Sequence, residues 1–151
     1  MTPTEAYGQL KKRMREIATI NSTSGVLSWD RKTYMPTKGS PHRAEQLAQL
    51  SRISHQWFTD PQVEEWLGAV ELSDLMKDPE SEAAVNVREW RRVYGRKTRL
   101  PLEFVEEFSR TTSLATQVWA EARRKSDFAL FRPHLGRIIE MVRTRAEYYG
   151  Y

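Results

Sequence analysis

The stretch VLSWDRKTYMPTKGSPHRAEQLAQL, residues 26–50, contains the densest set of local folding signals in the chain. Its apolar and aromatic first part ends at Met35-Pro36, because proline clashes with the preceding helical turn and disfavours helical angles at the residue before it. Lys38-Gly39 predicts a turn. Ser40-Pro41 then predicts a new helix, with the serine as N-cap and the proline at the first helical position. The stretch therefore predicts two helices joined by a short connection.

The segment before this stretch has the spacing of one long helix. It starts near Thr2-Pro3-Thr4 and extends to about Tyr34. The polar segment from Asn21 to Gly25 could interrupt it, because short polar side chains compete for backbone groups and glycine costs entropy. We predict that the helix is continuous. Its apolar face consists of Tyr7, Leu10, Met14 and Ile17.

Downstream of the stretch, apolar residues recur three and four positions apart, which is the helical period. On the third and fourth helices, the residues of this apolar face are Val63, Leu67, Val70, Ala83, Val87, Trp90 and Tyr94. The second helix is predicted to end near Phe58, and Gly95 is the natural stop of the fourth. Proline after a capping residue marks several of the remaining helix starts. The predicted starts of the second to sixth helices are Pro41, Asp60-Pro61, Asp78-Pro79, Pro101 and Asp127.

About six helices without a convincing alternating strand predict an all-α fold. The loops are short, so the helices are expected to form an antiparallel bundle. The chain has 151 residues and no long Gly-, Ser- or Pro-rich linker, which predicts a single helical domain over residues 1–151. Its hydrophobic content of 39% suits amphipathic helices around a thin core.

Composition excludes several classes of function. The chain has no cysteine, so disulfides and thiolate chemistry are excluded. No apolar run approaches the ~20 residues of a membrane span, and the charged N-terminus differs from a signal peptide. We expect a soluble, cytoplasmic protein that does not enter a membrane. Because 24 basic residues are interspersed with 20 acidic ones, a solvated helical surface is favoured over a phosphate-binding face.

The residues that usually perform catalysis do not form a recognisable set. His42, His55 and His134 are never three or four positions apart, so they do not form a helical zinc motif, and each is predicted to be a surface or boundary residue. The pairs Glu64-Glu65 and Glu106-Glu107 are consecutive and point to different sides of a helix. They are predicted to be solubilising charges. The residues by themselves predict no catalytic and no metal-binding group.

A basic segment follows the middle of the chain. Within it, Arg88, Arg92 and Arg96 are spaced four apart and are flanked by Trp90 and Tyr94. The full segment consists of Arg88, Arg91, Arg92, Arg96, Lys97 and Arg99. The favoured interpretation is structural pairing with carboxylates of a neighbouring helix. Two alternatives are an anionic ligand and single-stranded nucleic acid, which binds proteins by stacking and charge; for nucleic acid we expect only weak, salt-sensitive association.

Trp29 and Asp30 also admit two interpretations. In the favoured one, Trp29 is a buried core anchor at a helix end, and Asp30 accepts hydrogen bonds from the next segment or from an arginine such as Arg43. In the alternative, both residues contact a ligand. The residues themselves therefore indicate a helical domain without an assembled active site.

The order Leu27-Ser-Trp-Asp-Arg-Lys-Thr-Tyr-Met-Pro36 followed by Arg43-Ala-Glu-Gln-Leu-Ala-Gln-Leu50 resembles the N-terminal region of the carboxypeptidase Taq family of metallocarboxypeptidases. Later segments agree with this resemblance, which covers essentially the whole chain. They are Arg99-Leu-Pro101, Trp119-Ala-Glu-Ala-Arg123, Asp127-Phe128 and Phe131-Arg-Pro-His-Leu135.

The resemblance implies a longer, mostly helical parent enzyme that removes C-terminal residues from peptides with the help of a divalent metal, zinc or cobalt. The H-E-x-x-H helix and the other catalytic motifs of the family lie downstream of the matched region. The resemblance therefore implies no catalytic residue in this chain, and it implies two partners: a C-terminal catalytic part and, in the parent, a peptide substrate. By analogy with related helical zinc peptidases, the N-terminal helices would shape the substrate groove, with Trp29, Asp30 and Tyr34 as candidates.

Two further expectations concern the surface. A non-enzymatic helical scaffold and a weakly basic nucleic-acid-binding module remain the alternative functions. If the chain is part of a larger bundle, apolar residues that face the missing part stay exposed or promote self-association as a homo-oligomer. The residues expected on such faces are Leu50, Ile53, Trp57, Leu114, Val118, Trp119, Tyr148, Tyr149 and Tyr151.

Overall fold

A computed structural model describes all residues, 1–151, and it contains helices but no strands. This confirms the prediction of an all-α fold with six helices. None of the six combines the length and the apolar composition needed to cross a membrane. The helices are α1 (Pro3–Thr33), α2 (Ser40–Phe58), α3 (Pro61–Glu71), α4 (Glu82–Lys97), α5 (Leu102–Lys125) and α6 (Phe128–Tyr149), with short 3-10 turns at Thr37–Gly39 and Asp74–Met76.

Helix α1 is continuous through its polar segment, as predicted. The hydroxyl groups of Ser22 and Thr23 donate to the carbonyl of Thr19, at 2.8 and 3.0 Å. The Asn21 side chain accepts a hydrogen bond of 2.9 Å from Ser54 on α2. The helix persists because these polar side chains bond one turn back or across to α2, where they do not displace its backbone hydrogen bonds.

The start of α2 differs from the prediction, because Ser40 is not its N-cap. The backbone of Ser40 is already helical, its N–H donates to the carbonyl of Thr37, and Gly39 occupies the cap position. The 3-10 turn thus continues directly into α2, which leaves no extended residue whose side chain could turn back as a cap. Pro41 does lie in the first helical turn, as predicted.

The start of α4 also lies later than the prediction. The Asp78 side chain accepts a hydrogen bond from the backbone of Glu80 at 3.0 Å and therefore stabilises a turn. The helix begins only at Glu82, where the Ser81 hydroxyl accepts from the backbone of Ala84 at 3.2 Å. A serine with extended backbone is the better N-cap here, and Asp78-Pro79 belongs to the connection.

Gly95 does not stop α4, which continues to Lys97. The helix ends at Thr98, whose hydroxyl donates to the carbonyl of Tyr94 at 2.9 Å. Glycine favours a helix end only where the chain adopts a left-handed conformation, and Gly95 keeps a negative φ.

The hydrophobic core lies where the first half of α1 meets α3 and α4. Only 22 of the 151 residues are buried, and 18 of these are hydrophobic. Leu10 and Leu67 are completely shielded from solvent. The predicted apolar faces of α1, α3 and α4 are confirmed by the buried members of this core, which are Ala6, Tyr7, Leu10, Ile17, Phe58, Val63, Leu67, Val70, Ala83, Val87 and Tyr94.

The other half of the molecule packs with fewer large side chains. Helix α2 makes its most extensive contact with α5, and α5 in turn packs against α6. Small and polar groups meet between α2 and α5: Ser51 donates to Ser109 at 2.9 Å, and Arg52 donates to Glu106 at 2.9 Å. This half therefore has little apolar core of its own.

Apolar side chains are exposed mainly in this second half. Among the residues expected on uncovered faces, Trp57, Trp119, Tyr148 and Tyr151 are exposed, which confirms the prediction for these four. Leu50, Ile53, Leu114, Val118 and Tyr149 are half-buried instead, since neighbouring helices shield part of each side chain. Self-association stays a prediction. Further exposed residues are Val26, Trp29, Tyr34, Phe128, Leu130, Ile139 and Val142.

His55 is buried, so its prediction as a surface or boundary residue is wrong. Its Nε2 lies 3.0 Å from the carbonyl oxygen of Leu100, in the connection between α4 and α5. Because a carbonyl can only accept, Nε2 carries the proton and the ring is held in one tautomer. Burial and the nearby charge of Lys97 lower the pKa of His55 below its ordinary value of 6.5.

The lowered pKa of His55 predicts a pH dependence of stability. Unfolding restores the ordinary pKa of His55. At pH values between the folded-state and unfolded-state pKa, the unfolded chain therefore binds more protons than the folded chain. The free energy of unfolding is therefore expected to fall as the pH is lowered through about 6.5, and to level off below the folded-state pKa. Urea unfolding at a series of pH values, with His55→Gln as the control, measures this effect. Equal slopes in both proteins over that pH range would contradict the assignment.

Candidate functional site

The candidate groove residues lie at the C-terminal end of α1. Trp29 is 57% exposed and Tyr34 is 76% exposed, and their rings meet edge to face with centroids 5.5 Å apart. The prediction of Trp29 as a buried core anchor is therefore wrong. The inward-facing stripe of α1 passes through Leu27 and Arg31, and Trp29 lies about 200° around the helix from Leu27.

Asp30 forms the ion pair with Arg43 that the favoured interpretation predicted. Its carboxylate lies 2.6 Å from Nη1 of Arg43, on α2. The same nitrogen donates to the carbonyl of Leu27 at 2.8 Å, and Nε of Arg43 donates to Gln46 at 2.8 Å. This group of contacts joins the end of α1 to the start of α2. It fixes the position from which Trp29 and Tyr34 project into solvent.

Arg31 is a residue of this site that sequence reasoning missed. Its Nη1 donates to the hydroxyl of Ser113 on α5, while its Nε is buried and has no acceptor. Burial and the nearby charge of Arg43 lower the pKa of Arg31. Its spacing in the sequence could have identified it, because Arg31 lies four positions after Leu27 and therefore on the side of α1 that faces the other helices.

A cavity of about 340 Å³ lies between the end of α1 and the middle of α5. Two of its lining residues are cations and none is acidic. A second cavity, of about 400 Å³, lies on the other side of Trp119 and is lined partly by Phe128 and Phe131. The first cavity is lined by Arg31, Lys32, Thr116, Gln117, Trp119 and Ala120.

Of the predicted acidic pairs, Glu65 is exposed without an ion pair, as expected of a solubilising charge, whereas the other three carboxylates form ion pairs. Glu106 accepts hydrogen bonds from Arg52 and Arg110, at 2.9 and 2.8 Å. Hydrogen bonds from Arg110 and Arg52 lower the pKa of Glu106, which favours its ionised form. Glu107 pairs with Arg137 on α6. These carboxylates therefore join helices, a role more specific than the solubilising one that was predicted.

In the basic segment of α4, the predicted pairing with carboxylates of a neighbouring helix is confirmed for Arg91. Arg91 donates two hydrogen bonds of 2.8 Å to Glu71 and also pairs with Glu64, on α3. These contacts raise the pKa of Arg91. Arg92 pairs with Glu89 at 2.8 Å. Arg88 donates to the carbonyl of Pro79 at 3.3 Å and Arg96 lies over the ring of Tyr149, so neither has a carboxylate partner.

No three His, Cys, Asp or Glu side chains of this chain are grouped so that they could hold a metal ion. The residues present therefore do not fit a catalytic metal, and no step of a metal-dependent reaction is assigned to them. The end of α1 and its contact with α5 offer aromatic surface, two cations and hydrogen-bond donors. Such a set can bind and orient a ligand.

Comparison with known proteins relates the chain to a group of peptidases. The sequence profile of the carboxypeptidase Taq (M32) metallopeptidases matches residues 9–151. The chain is 44% identical over 147 residues to thermostable carboxypeptidase 1 of Thermus thermophilus, and 35% identical over 155 residues to the protein of that name from Pyrococcus furiosus. Each alignment covers 97% of this chain but only 29% of the relative, so the match is confined to the N-terminal part of much longer proteins.

Solved structures agree with this relationship. The crystal structure of BsuCP superposes with a TM-score of 0.91 at 26% identity, over 97% of this chain and 29% of that chain. The structure of the Pyrococcus furiosus carboxypeptidase gives a TM-score of 0.71 at 35% identity, over the same shares of the two chains. Trypanosoma cruzi metallocarboxypeptidase 1 gives 0.70 at 32% identity, over 95% of this chain and 28% of that chain.

Proposed function

Because the chain belongs to the carboxypeptidase Taq (M32) metallopeptidase family, we propose that it forms a non-catalytic helical wall of a metal-dependent carboxypeptidase that releases C-terminal amino acids from peptides. In this proposal the end of α1 shapes the substrate groove. The observation that carries it is the exposed aromatic pair Trp29–Tyr34, held in place by the Asp30–Arg43 contact. Because both rings are largely exposed, the pair offers contact area to a peptide.

The partner of this wall is a C-terminal catalytic part like the remainder of the longer relatives. Its docking is supported by the uncovered apolar side chains of the second half, among them Trp119, Phe128 and Ile139. Trp119 and Phe128 line one cavity, and exposed apolar patches mark interaction sites. The metal, the general base and the residues that bind the substrate carboxylate belong to that catalytic part.

A chimeric enzyme tests the proposal. In it, this chain replaces the matching 147 residues of the Thermus thermophilus relative. We expect the chimera to release C-terminal amino acids in the presence of zinc or cobalt, and this chain alone to release none. In the chimera, Trp29→Ala and Tyr34→Ala are expected to raise KM about three- to tenfold, since an aromatic contact contributes about 0.5–1.5 kcal/mol.

Trp57→Ala provides the control, because Trp57 is also an exposed tryptophan but lies at the far end of α2. Circular dichroism melting checks that each chimera is folded. A folded chimera without activity would contradict the role as a wall. An active chimera whose KM is unchanged by both α1 substitutions would contradict the role of α1 in the groove. Amino acid release by this chain alone would overturn the assignment as non-catalytic.

A further inference from the structure

The basic segment of α4 ends at a cavity of about 380 Å³, which lies between the last turns of α4 and the end of α6. No acidic residue lines this cavity. Four arginines and two tyrosines do: Arg91, Arg92, Arg96, Arg99, Tyr149 and Tyr151. None of the four arginines belongs to the groove or to the apolar docking surface proposed above, so their grouping needs a separate explanation.

Two of these arginines are compensated by carboxylates, and two are not. Arg91 and Arg92 have the glutamate partners described above. Arg96 and Arg99 are exposed and have no carboxylate partner. The cavity therefore contains two guanidinium groups whose charge the protein leaves uncompensated.

Tyr149 brings these two guanidinium groups together. The guanidinium carbon of Arg96 lies 4.9 Å from the centroid of the Tyr149 ring, and Nη1 of Arg99 donates to the backbone carbonyl of Tyr149 at 2.8 Å. Contact with a ring face leaves the N–H groups of Arg96 available, and Arg99 uses only one of its five. Two like charges against one residue repel each other, and an anion that binds between them removes this repulsion.

The number of available donors indicates the class of anion. A phosphate group carries about two negative charges and three strong acceptor oxygens, which suits two guanidinium groups that start from different positions of the chain. A carboxylate has one charge and two oxygens, and a single guanidinium satisfies it. Tyr151 is 89% exposed and adds a ring for the group that bears the phosphate. The volume of about 380 Å³ is within the range of cavities that bind small organic ligands.

We propose that this cavity is a binding site for the phosphate group of a small molecule, with Arg96 and Arg99 as the residues that hold it. The phosphate belongs either to an inorganic diphosphate or to a nucleotide whose base contacts the ring of Tyr151. The proposal rests on the ends of α4 and α6 alone, so it stands or falls independently of the proposed enzymatic role.

Nuclear magnetic resonance of the 151-residue chain tests this site, because the backbone amides of Gly95 and Tyr151 lie in residues that line the cavity. The probes are pyrophosphate, adenosine diphosphate, adenosine and citrate, each without divalent cations and at constant ionic strength, since salt screens diffuse attraction. We expect saturable shifts of both amide signals with pyrophosphate or adenosine diphosphate, at least tenfold weaker binding of citrate, and no saturable shift with adenosine. Tighter binding of adenosine diphosphate than of pyrophosphate would assign the phosphate to a nucleotide, and the reverse would assign it to an inorganic diphosphate.

Variants check that the shifts come from the two proposed arginines. Arg96→Gln and Arg99→Gln are each expected to weaken binding by about tenfold, which corresponds to about 1.4 kcal/mol. Arg88→Gln is the matched control, because Arg88 is an exposed arginine of the same helix that donates to the carbonyl of Pro79 and does not line the cavity. It lies eight residues before Arg96, about 12 Å along the helix and beyond the Debye length of about 8 Å at 0.15 M salt. Its replacement is therefore expected to change binding by less than about twofold.

Gly95→Glu tests the cavity without removing an arginine. A Cβ atom at Gly95 has no other atom within 4 Å, and glutamate favours a helix more than glycine does, so this variant is expected to fold. Its carboxylate would lie beside Arg96 and compete with the ligand, so we expect saturable binding to be lost.

Several results would overturn the proposal. They are the absence of saturable binding by both phosphate probes, citrate binding as tight as that of pyrophosphate, equal losses in Arg88→Gln and Arg96→Gln, and full binding by Gly95→Glu. Tighter binding of single-stranded oligothymidylate than of adenosine diphosphate, weakened by Arg88→Gln, would overturn it in favour of a nucleic-acid-binding face along α4.

Discussion

Replacement of Leu67 by alanine is expected to lower the free energy of unfolding by about 2–5 kcal/mol, the range for a fully buried leucine. Leu67 is completely shielded and lies in α3, in the core formed with α1 and α4. With only 22 buried residues in the chain, few side chains can move to fill the cavity that the substitution leaves. Denaturant unfolding followed by circular dichroism measures the change.

Leu72→Ala is the matched control for this prediction. Leu72 follows α3 directly and is 93% exposed, so the same chemical change removes almost no burial. The control is expected to alter stability by less than about 0.5 kcal/mol. Similar losses in the two variants would mean that the core does not lie where α1, α3 and α4 meet.

Replacement of Arg43 by methionine has the second largest expected effect, a loss of about 1–3 kcal/mol in the free energy of unfolding. The substitution keeps much of the side-chain volume but removes the donors to Asp30, to the carbonyl of Leu27 and to Gln46. Asp30 then lacks its partner within a partly shielded site. Denaturant unfolding measures the loss, and the indole N–H signal of Trp29 in nuclear magnetic resonance spectra reports whether the end of α1 has moved.

Arg92→Met is the matched control, because it also replaces a paired arginine by methionine. Arg92 forms an exposed pair with Glu89 three residues away on α4. Exposed pairs of this kind contribute about 0–1 kcal/mol, because solvent screens them and the side chains lose entropy. A loss for Arg43→Met no larger than that for Arg92→Met would show that Asp30–Arg43 does not fix the two helices.

The sequence by itself determined the number and type of the helices. Residues three and four apart identified the inward faces of α1 and α3, with Leu10 and Leu67 at their centres. Proline and aspartate marked the start of α3, where Asp60 accepts from the backbone of Gln62 at 2.9 Å. These features depend on neighbours within one or two turns, so local chemistry is sufficient to specify them. The family was identifiable for the same reason, since its motifs are short and contiguous.

Only the tertiary structure decided which side chains are buried and which are exposed to solvent. Trp29 is exposed because the inward stripe of α1 passes through Leu27 and Arg31, and His55 is buried because the connection to α5 covers it. The start of α4 also depended on context, since both Asp78 and Ser81 are acceptable caps. Each of these outcomes depends on contacts between helices that lie far apart in the sequence. Helical periodicity specifies that a face exists, but the packing of α1, α2 and α5 determines what covers it.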